Sequence, residues 1–496
     1  MNNEHIGQFA ILRSPLALVG FNSIELEDGW VLSCQKRLKM YRCPENGFIL
    51  LGYAWQVLDD RDDPKTELSK LRRDAEPDEI MAMESSWCGR YLLICGTRIY
   101  VDTSTLLPIF YSEIGLSSDI FLLAETLGLP LCIYHPGDIM NWMPGPRTHY
   151  DEIRKLLPSQ IYDYISGEVI GRQLLPEDYI SETDARKIVS KFTEVFANSL
   201  KNLWNMFPDR KFLIALTGGY DSRTLFSEAV FAGLPFTAFT LERDDNSRGD
   251  SETPMRICDC LDIDYVYIPR DHNLYSAHLE KTYIQHTCGM VKDEDRLFYS
   301  YGQYQKLEEM FGDIVILRGA IWENVTEFFS KVFPDGDPHP DFCDHFNLRY
   351  NSVERLSINE YFKWTEELPQ RGLLNSNTFY WEQREGCWLP PMEQGFDLLD
   401  KTLAFQPLNC RLLIAMLLDF PREERLNKKH EALITEYACP EISDIPYGGM
   451  KVNKEDAVSF IKRKTLRLLD SIHKIGLRKT FRKYSYYYIV RKIMKD

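Results

Sequence analysis

Up to about residue 135 the apolar positions fall in short runs and alternations between polar turns, as in QFAILRS, GWVLSC, GFILLGYAW, RYLLICG, TRIYVD and LPIFYSE. That pattern predicts strands of a two-layer sheet. Segments rich in Pro and polar residues follow, MPGPRTHYDE at 143–152 and LLPEDYISETD at 174–184, and they mark a domain boundary. The period then becomes helical. Ile188, Phe192, Val195, Phe196 and Leu200 recur along ARKIVSKFTEVFANSLKNLW, with Ser181 or Thr183 expected as the cap. From Lys211 onward strands and helices alternate through FLIAL, SRTLFSEAVFAG, FTAFTLE, ETPMRICDCLDI, YVYIPR and, at 313–319, DIVILRG. Such alternation predicts a parallel sheet with helices on both faces. The stretch 340–450 reads as mainly helical. The expected organisation is therefore 1–180, 181–453 and a tail at 454–496.

Composition narrows the classes. Hydrophobic residues at 44% and aromatics at 13% supply a sizeable core, so wholesale disorder is excluded. With 58 Lys and Arg against 74 Asp and Glu the net charge is −16, which argues against a general nucleic-acid coat. The charge is uneven. Residues 454–496 hold thirteen basic and four acidic side chains and sum to +9, leaving −25 for the rest. Phe460, Ile461, Leu468, Leu469 and Ile472 give this tail an amphipathic stripe. It suits either packing against the acidic body or contact with an anionic membrane surface or acidic partner. The twelve cysteines are scattered without a C-x-x-C pair, so a disulfide framework is not expected, and no zinc spacing appears. Cys258 and Cys260 fall in a predicted helix and read as ordinary thiols. MNNEHIGQFA has no secretory pattern, and RLLIAMLLDF at 411–420 is too short to span a membrane. A cytoplasmic location is expected.

The most informative segment is Thr217-Gly218-Gly219-Tyr220-Asp221-Ser222, between a buried strand and a helix. Two glycines allow a tight turn that gathers N–H groups into an anion-binding concavity, and the helix start adds its positive end. Thr217 and Ser222 offer hydroxyls, and Asp221 can hold a magnesium ion between phosphate oxygens. No Gly-Lys dipeptide occurs in the chain, which excludes a Walker loop.

This segment resembles the pyrophosphate loop S-G-G-x-D-S of the N-type ATP pyrophosphatases. Within them it is most similar to the asparagine synthetase superfamily, which includes β-lactam synthetases and lasso-peptide macrolactam cyclases. Thr217 replaces the first Ser and keeps a hydroxyl. Arg318-Gly319-Ala320-Ile321-Trp322-Glu323-Asn324 is similar to the family segment S-G-x-G-x-D-E. The resemblance implies that Gly319 lies beneath the nucleotide and that Asp221 and Glu323 hold Mg2+; alternatively, Glu323 simply begins a helix. It further implies that Leu216 and Leu241 flank the adenosine. Glu382 and Arg384 resemble the family's E-x-R segment over the acceptor site, or form a structural ion pair. PEISDIPYGGMKVNK at 440–454 resembles the stretch ending near a catalytic lysine, which makes Lys451 the candidate, with Arg318, Lys428 and Lys429 as competitors. CGRYLLICGTRIYVDTSTLLPIFYSE resembles a strand pair of class II glutamine amidotransferase domains. That family's nucleophile is a Cys at position 2, whereas Asn stands there in this sequence, so no glutaminase activity is expected.

The expected fold class is α/β with α+β: an N-terminal Ntn-like two-layer β-rich domain, then a parallel-sheet, HUP-like ATP-pyrophosphatase domain. The expected activity is ATP-dependent amide formation with ATP and Mg2+ as cofactors. A substrate carboxylate is adenylated and then attacked by an amine or ammonia, the partners being a small molecule, peptide or glycan. The alternatives are an RNA-modifying ATP pyrophosphatase and a non-catalytic scaffold that kept the fold. No nucleic-acid partner is expected.

Overall fold

Alternation of side chains builds two antiparallel sheets from the residues up to Gly171 in the computed structural model of the chain. The structure describes residues 5–137, 140–242, 251–271, 277–291, 294–326, 329, 342–346, 348–367 and 376–448. The strands are β1 (Phe9–Leu12), β2 (Phe21–Glu25), β3 (Val31–Gln35), β4 (Met40–Arg42), β5 (Ile49–Gln56) and β6 (Trp87–Cys95). They continue with β7 (Arg98–Val101), β8 (Phe110–Ser112), β9 (Gly115–Ser117), β10 (Arg154–Lys155), β11 (Gln160–Asp163) and β12 (Val169–Gly171). One sheet runs β10-β8-β9-β1-β3-β2 and the other β12-β11-β7-β6-β5-β4. Ile49 and Leu51 of β5 and Leu92 and Ile94 of β6 join Phe9, Ile11 and Leu32 of the first sheet in one core. Their neighbours Leu50, Tyr91 and Leu93 point the other way, onto Leu68, Ile80 and Met83 of two short helices. The period-2 pattern thus fills both faces of the central strands.

Helix Ala185–Met206 leads out of this sandwich. Asp184 caps it, its carboxylate accepting the N–H groups of Arg186 and Lys187, in place of the expected Ser181 or Thr183. An aspartate two residues before those amides is the better-placed acceptor. One face of the helix bonds back to β5 and the residue after it: Ser199 accepts the indole of Trp55 at 2.9 Å, and Asn198 and Asn202 donate to the carbonyls of Val57 and Gln56 at 2.8 Å.

The predicted strand–helix alternation forms a parallel sheet of β13 (Lys211–Ala215), β14 (Phe236–Leu241), β15 (Tyr265–Ile268), β16 (Ile314–Leu317) and β17 (Thr402–Phe405). Its order is β15-β14-β13-β16-β17. The fold class read from the sequence is the one observed. The fifth strand, TLAF, falls within the stretch 340–450 read as mainly helical, and the sequence reading did not single it out. Because the order reverses beside β13, the loops after β13 and β16 diverge to opposite sides and open a crevice at the carboxyl ends of the strands.

Residues Met1–Gly448 form one compact unit. Within it Arg90 grips Asp397 with two bonds of 2.6 and 2.7 Å, and Asn409 donates to Gly89 and Asp102. RLLIAMLL is a buried helix, Arg411–Leu418. Among the described residues no helix is long and apolar enough to cross a membrane. Lys451 and the basic tail at 454–496 lie outside the described residues.

Glu228 is fully buried in helix Tyr220–Phe231, where one carboxylate oxygen accepts Thr193 Oγ1 at 2.9 Å and the other has no hydrogen bond. Burial pushes this carboxyl well above the usual range, against the single hydrogen bond. The fold therefore holds the neutral acid. That stabilisation is complete below the unfolded pKa of about 4.3 and is lost as pH rises toward the folded value. Glu228→Gln stays neutral throughout. It is expected to stabilise the protein at pH 7 by about 1 kcal/mol or more, the worth of one pKa unit, and to be near neutral at pH 4. Urea melts at the two pH values check this.

Candidate active site at the switch point

The apolar run Phe212-Leu213-Ile214 is buried in the centre of the sheet, and the chain leaves it through the loop at 216–219. Leu216 is fully buried and acts through its backbone: its N–H donates to Phe239, and its carbonyl accepts Thr240 Oγ1 at 2.6 Å. Ser222 Oγ accepts the Thr217 N–H at 3.0 Å and lies 2.8 Å from Thr217 Oγ1, which in turn accepts the Gly219 N–H at 3.2 Å. The hydroxyls expected to meet phosphate thus also brace the turn. Helix Tyr220–Phe231 starts at Gly219 with no side-chain cap, so its first amides keep their hydrogen-bonding capacity for a ligand.

Two glycines sit at close approaches here. A Cβ on Gly218 would stand 2.9 Å from the Gly448 carbonyl oxygen, and the Gly448 N–H donates to the Gly218 carbonyl at 2.8 Å. A Cβ on Gly319 would lie 3.3 Å from the Asp221 carbonyl oxygen. The two motifs are therefore brought together, one leaving β13 and the other β16. Leu241 is half-buried at the end of the neighbouring β14.

Asp221 is bound by Lys428, whose Nζ lies 2.6 Å from Oδ1. The same Nζ stands 3.7 Å from Glu431, which is fully buried and whose two oxygens make no hydrogen bond of ordinary geometry. Burial, joined by the negative charges of Asp221 and Glu323, pushes the Glu431 carboxyl well above its usual range. Burial opposes the Lys428 ammonium, but Glu431 and Asp221 outweigh it and raise its pKa. Glu323 accepts the Tyr380 hydroxyl at 2.6 Å. Next to it Asn324 is buried with neither amide atom hydrogen-bonded. His430 is pushed down to about 4 by burial and is neutral at physiological pH.

Asp221 and Glu431 thus flank one lysine, and the negative charge of Glu323 acts on it as well. Glu431 escaped the sequence reading. Its signal was a glutamate at helical spacing with Ile434, Thr435 and Ala438 on the buried face of helix Lys429–Ala438. Lys429 is exposed.

The other candidates have structural partners. Arg318 Nη1 donates to Glu393 at 2.6 Å, and its guanidinium lies over Phe396. Glu382 and Arg384 do not pair with each other. Glu382 is fully buried and accepts the Ser159 N–H and the Tyr361 hydroxyl, at 3.0 and 2.7 Å. Arg384 lies 3.6 Å over the Trp388 ring and donates to Asn141. Both sit on a π-helical turn, Trp381–Glu385.

No family model matches the chain, and no curated protein does. Among solved structures it is similar to the NMN synthetase from Francisella tularensis, at 16% identity over 40% of this chain and 93% of that chain, with a TM-score of 0.21. It is also similar to the NH3-dependent NAD synthetase from Campylobacter jejuni, at 15% identity over 37% of this chain and 84% of that one, again with a TM-score of 0.21. Likenesses this slight do not bear on function.

Gly218→Ala must displace the Gly448 backbone, while a Cβ on Gly219 would meet only Thr217 Oγ1 at 3.4 Å. Denaturant melts of the two variants are expected to show a loss of about 1–3 kcal/mol for Gly218→Ala and under about 1 kcal/mol for Gly219→Ala.

Proposed function

We propose that the chain is an ATP-dependent amide-forming ligase of the asparagine synthetase type, which adenylates a carboxylate and passes the acyl group to an amine or ammonia. The observation that carries this reading is the meeting of the Thr217–Ser222 loop with Gly319 at the switch point, beside Asp221, Glu323 and Glu431.

In this reading the amides at the start of helix Tyr220–Phe231 and the hydroxyls of Thr217 and Ser222 bind the β- and γ-phosphates. The backbone of Leu216, Leu241 and Gly319 shapes the nucleotide site. Asp221 and Glu323 would hold magnesium, with Glu431 beside Asp221 adding negative charge, and the ion when bound would neutralise phosphate charge. The substrate carboxylate attacks the α-phosphorus in line, pyrophosphate leaves, and an acyl-adenylate forms. The amine then attacks the acyl carbon, and AMP departs. No protein nucleophile is needed, so orientation and electrostatics supply the acceleration. Lys451 is proposed as the cation that stabilises charge on the adenylate, with Arg318 as the second candidate. The acid and the amine come from the small-molecule, peptide or glycan classes. The basic tail is proposed as the contact to an anionic surface or acidic partner.

Calorimetry with Mg-ATP and substrate-dependent exchange of labelled pyrophosphate into ATP test the reading. Asp221→Ala is expected to lower exchange at least about a hundredfold, the scale of losing one preorganised electrostatic group, without shifting the melting curve by more than a few degrees. Wild-type protein that does not bind Mg-ATP would sink the proposal. Glu431→Gln is expected to raise the magnesium concentration needed for half-maximal ATP binding by about tenfold. An unchanged magnesium requirement would remove Glu431 from the site.

A further inference from the structure

Outside the switch-point crevice, three buried side chains from distant parts of the chain converge. His5 lies in the N-terminal segment, Asp119 caps helix Ile120–Thr126, and His286 lies near the end of helix Ala277–Thr287. They are 2%, 0% and 7% exposed. Asp119 Oδ2 receives His5 Nδ1 at 2.7 Å and also His286 Nδ1. Its other oxygen accepts the amides of Phe121 and Leu122 at 2.8 and 3.0 Å. The two imidazoles meet edge to face, with ring centroids 5.1 Å apart.

Two rings thus aim the same atom at one oxygen. If both Nδ1 atoms carry protons, a neutral His5 leaves Nε2 as a bare acceptor. That nitrogen is buried, makes no hydrogen bond and faces Glu125 Oε2 at 3.7 Å, which sets a lone pair toward a carboxylate. A doubly protonated His5, donating to both Asp119 and Glu125, is one way to remove the conflict, and one divalent cation in place of the two Nδ1 protons is the other. The His5 proton then sits on Nε2 and donates toward Glu125, as metal-bound imidazoles commonly do to a carboxylate. Asp119 and Glu125 together balance the double charge, which a buried ion requires. Two nitrogens and one oxygen suit zinc and its neighbours, whereas magnesium and calcium favour all-oxygen sets.

We propose that His5, Asp119 and His286 form a structural site for a divalent transition metal, zinc being the best match, which pins the N-terminal segment and helix Ile120–Thr126 to helix Ala277–Thr287. The site is independent of the ATP reading and needs none of its residues.

The test uses full-length, tag-free protein stripped with EDTA, incubated with zinc chloride, desalted and measured by ICP mass spectrometry. About one zinc per chain is expected for wild type, and below about 0.1 for His286→Ala and for Asp119→Asn. Should a variant misfold, titration of the stripped wild type against a chromophoric chelator carries the test alone, with micromolar or tighter affinity expected. Stripped wild type that binds less than about 0.1 zinc overturns the site, as does a folded His286→Ala that keeps its metal. In that case the cluster is a hydrogen-bonded triad only.

Discussion

The closeness of the Gly319 and Asp221 backbones is the constraint on which the candidate site depends. Two strands of a parallel sheet leave side by side at the point where the strand order reverses, and a Cβ at Gly319 would press on the Asp221 backbone at 3.3 Å. The rest follows in sequence. The helix after the first loop begins uncapped at the crevice, Asp221 enters on its first turn, and Glu323 arrives from the other side. The same logic repeats at Gly218, where Gly448 docks on the opposite edge of the turn. Tyr220 and Tyr447 stack at 3.8 Å beside that contact, and Arg223 lies over Tyr447 while donating to the carbonyls of Ile445 and Pro446.

The proposed reading asks an acidic protein for cations at the site, and among the described residues there they are scarce. Lys428 alone is in ion-pair contact with Asp221 among the described residues, and its left-handed backbone (φ 55°) sets it at the start of helix Lys429–Ala438. Glu431 sits on the first turn of the same helix, so one helix start supplies both the lysine and the buried acid. A buried carboxyl without a hydrogen bond is costly. Lys428, 3.7 Å away, offsets part of that cost.

Much of the fold was legible because its signals are local. Alternation in ILLGYAW and RYLLIC, and the run FLIAL before two glycines, each fix an element over a few residues. Four short strands were not legible: β10, β11 and β12 fall between the Pro-rich segments taken as a boundary, and β17 hides in a helical region. Each is stabilised by partners far away in sequence, such as Phe405 beside Leu317. The site divides in the same way. The loop at 217–222 announces itself by composition, whereas Glu431 and the His5–Asp119–His286 cluster have no motif, because their members meet only through tertiary packing. The cysteine spacing that would betray a zinc finger is irrelevant to a site built from histidines and an aspartate.

Helix Ala185–Met206 has a mechanical consequence. Ser199, Asn198 and Asn202 rivet it to Trp55, Val57 and Gln56, while Ile188, Phe192, Phe196 and Leu200 share a core with β13 and β16. The helix is therefore a strut bolted at both sides rather than a tether. Bending at this seam would break several hydrogen bonds at once, each worth about 0.5–1.5 kcal/mol. The helix therefore locks the sandwich to the parallel sheet, much as Arg223 and Gly218 lock Ile445–Gly448 to the turn.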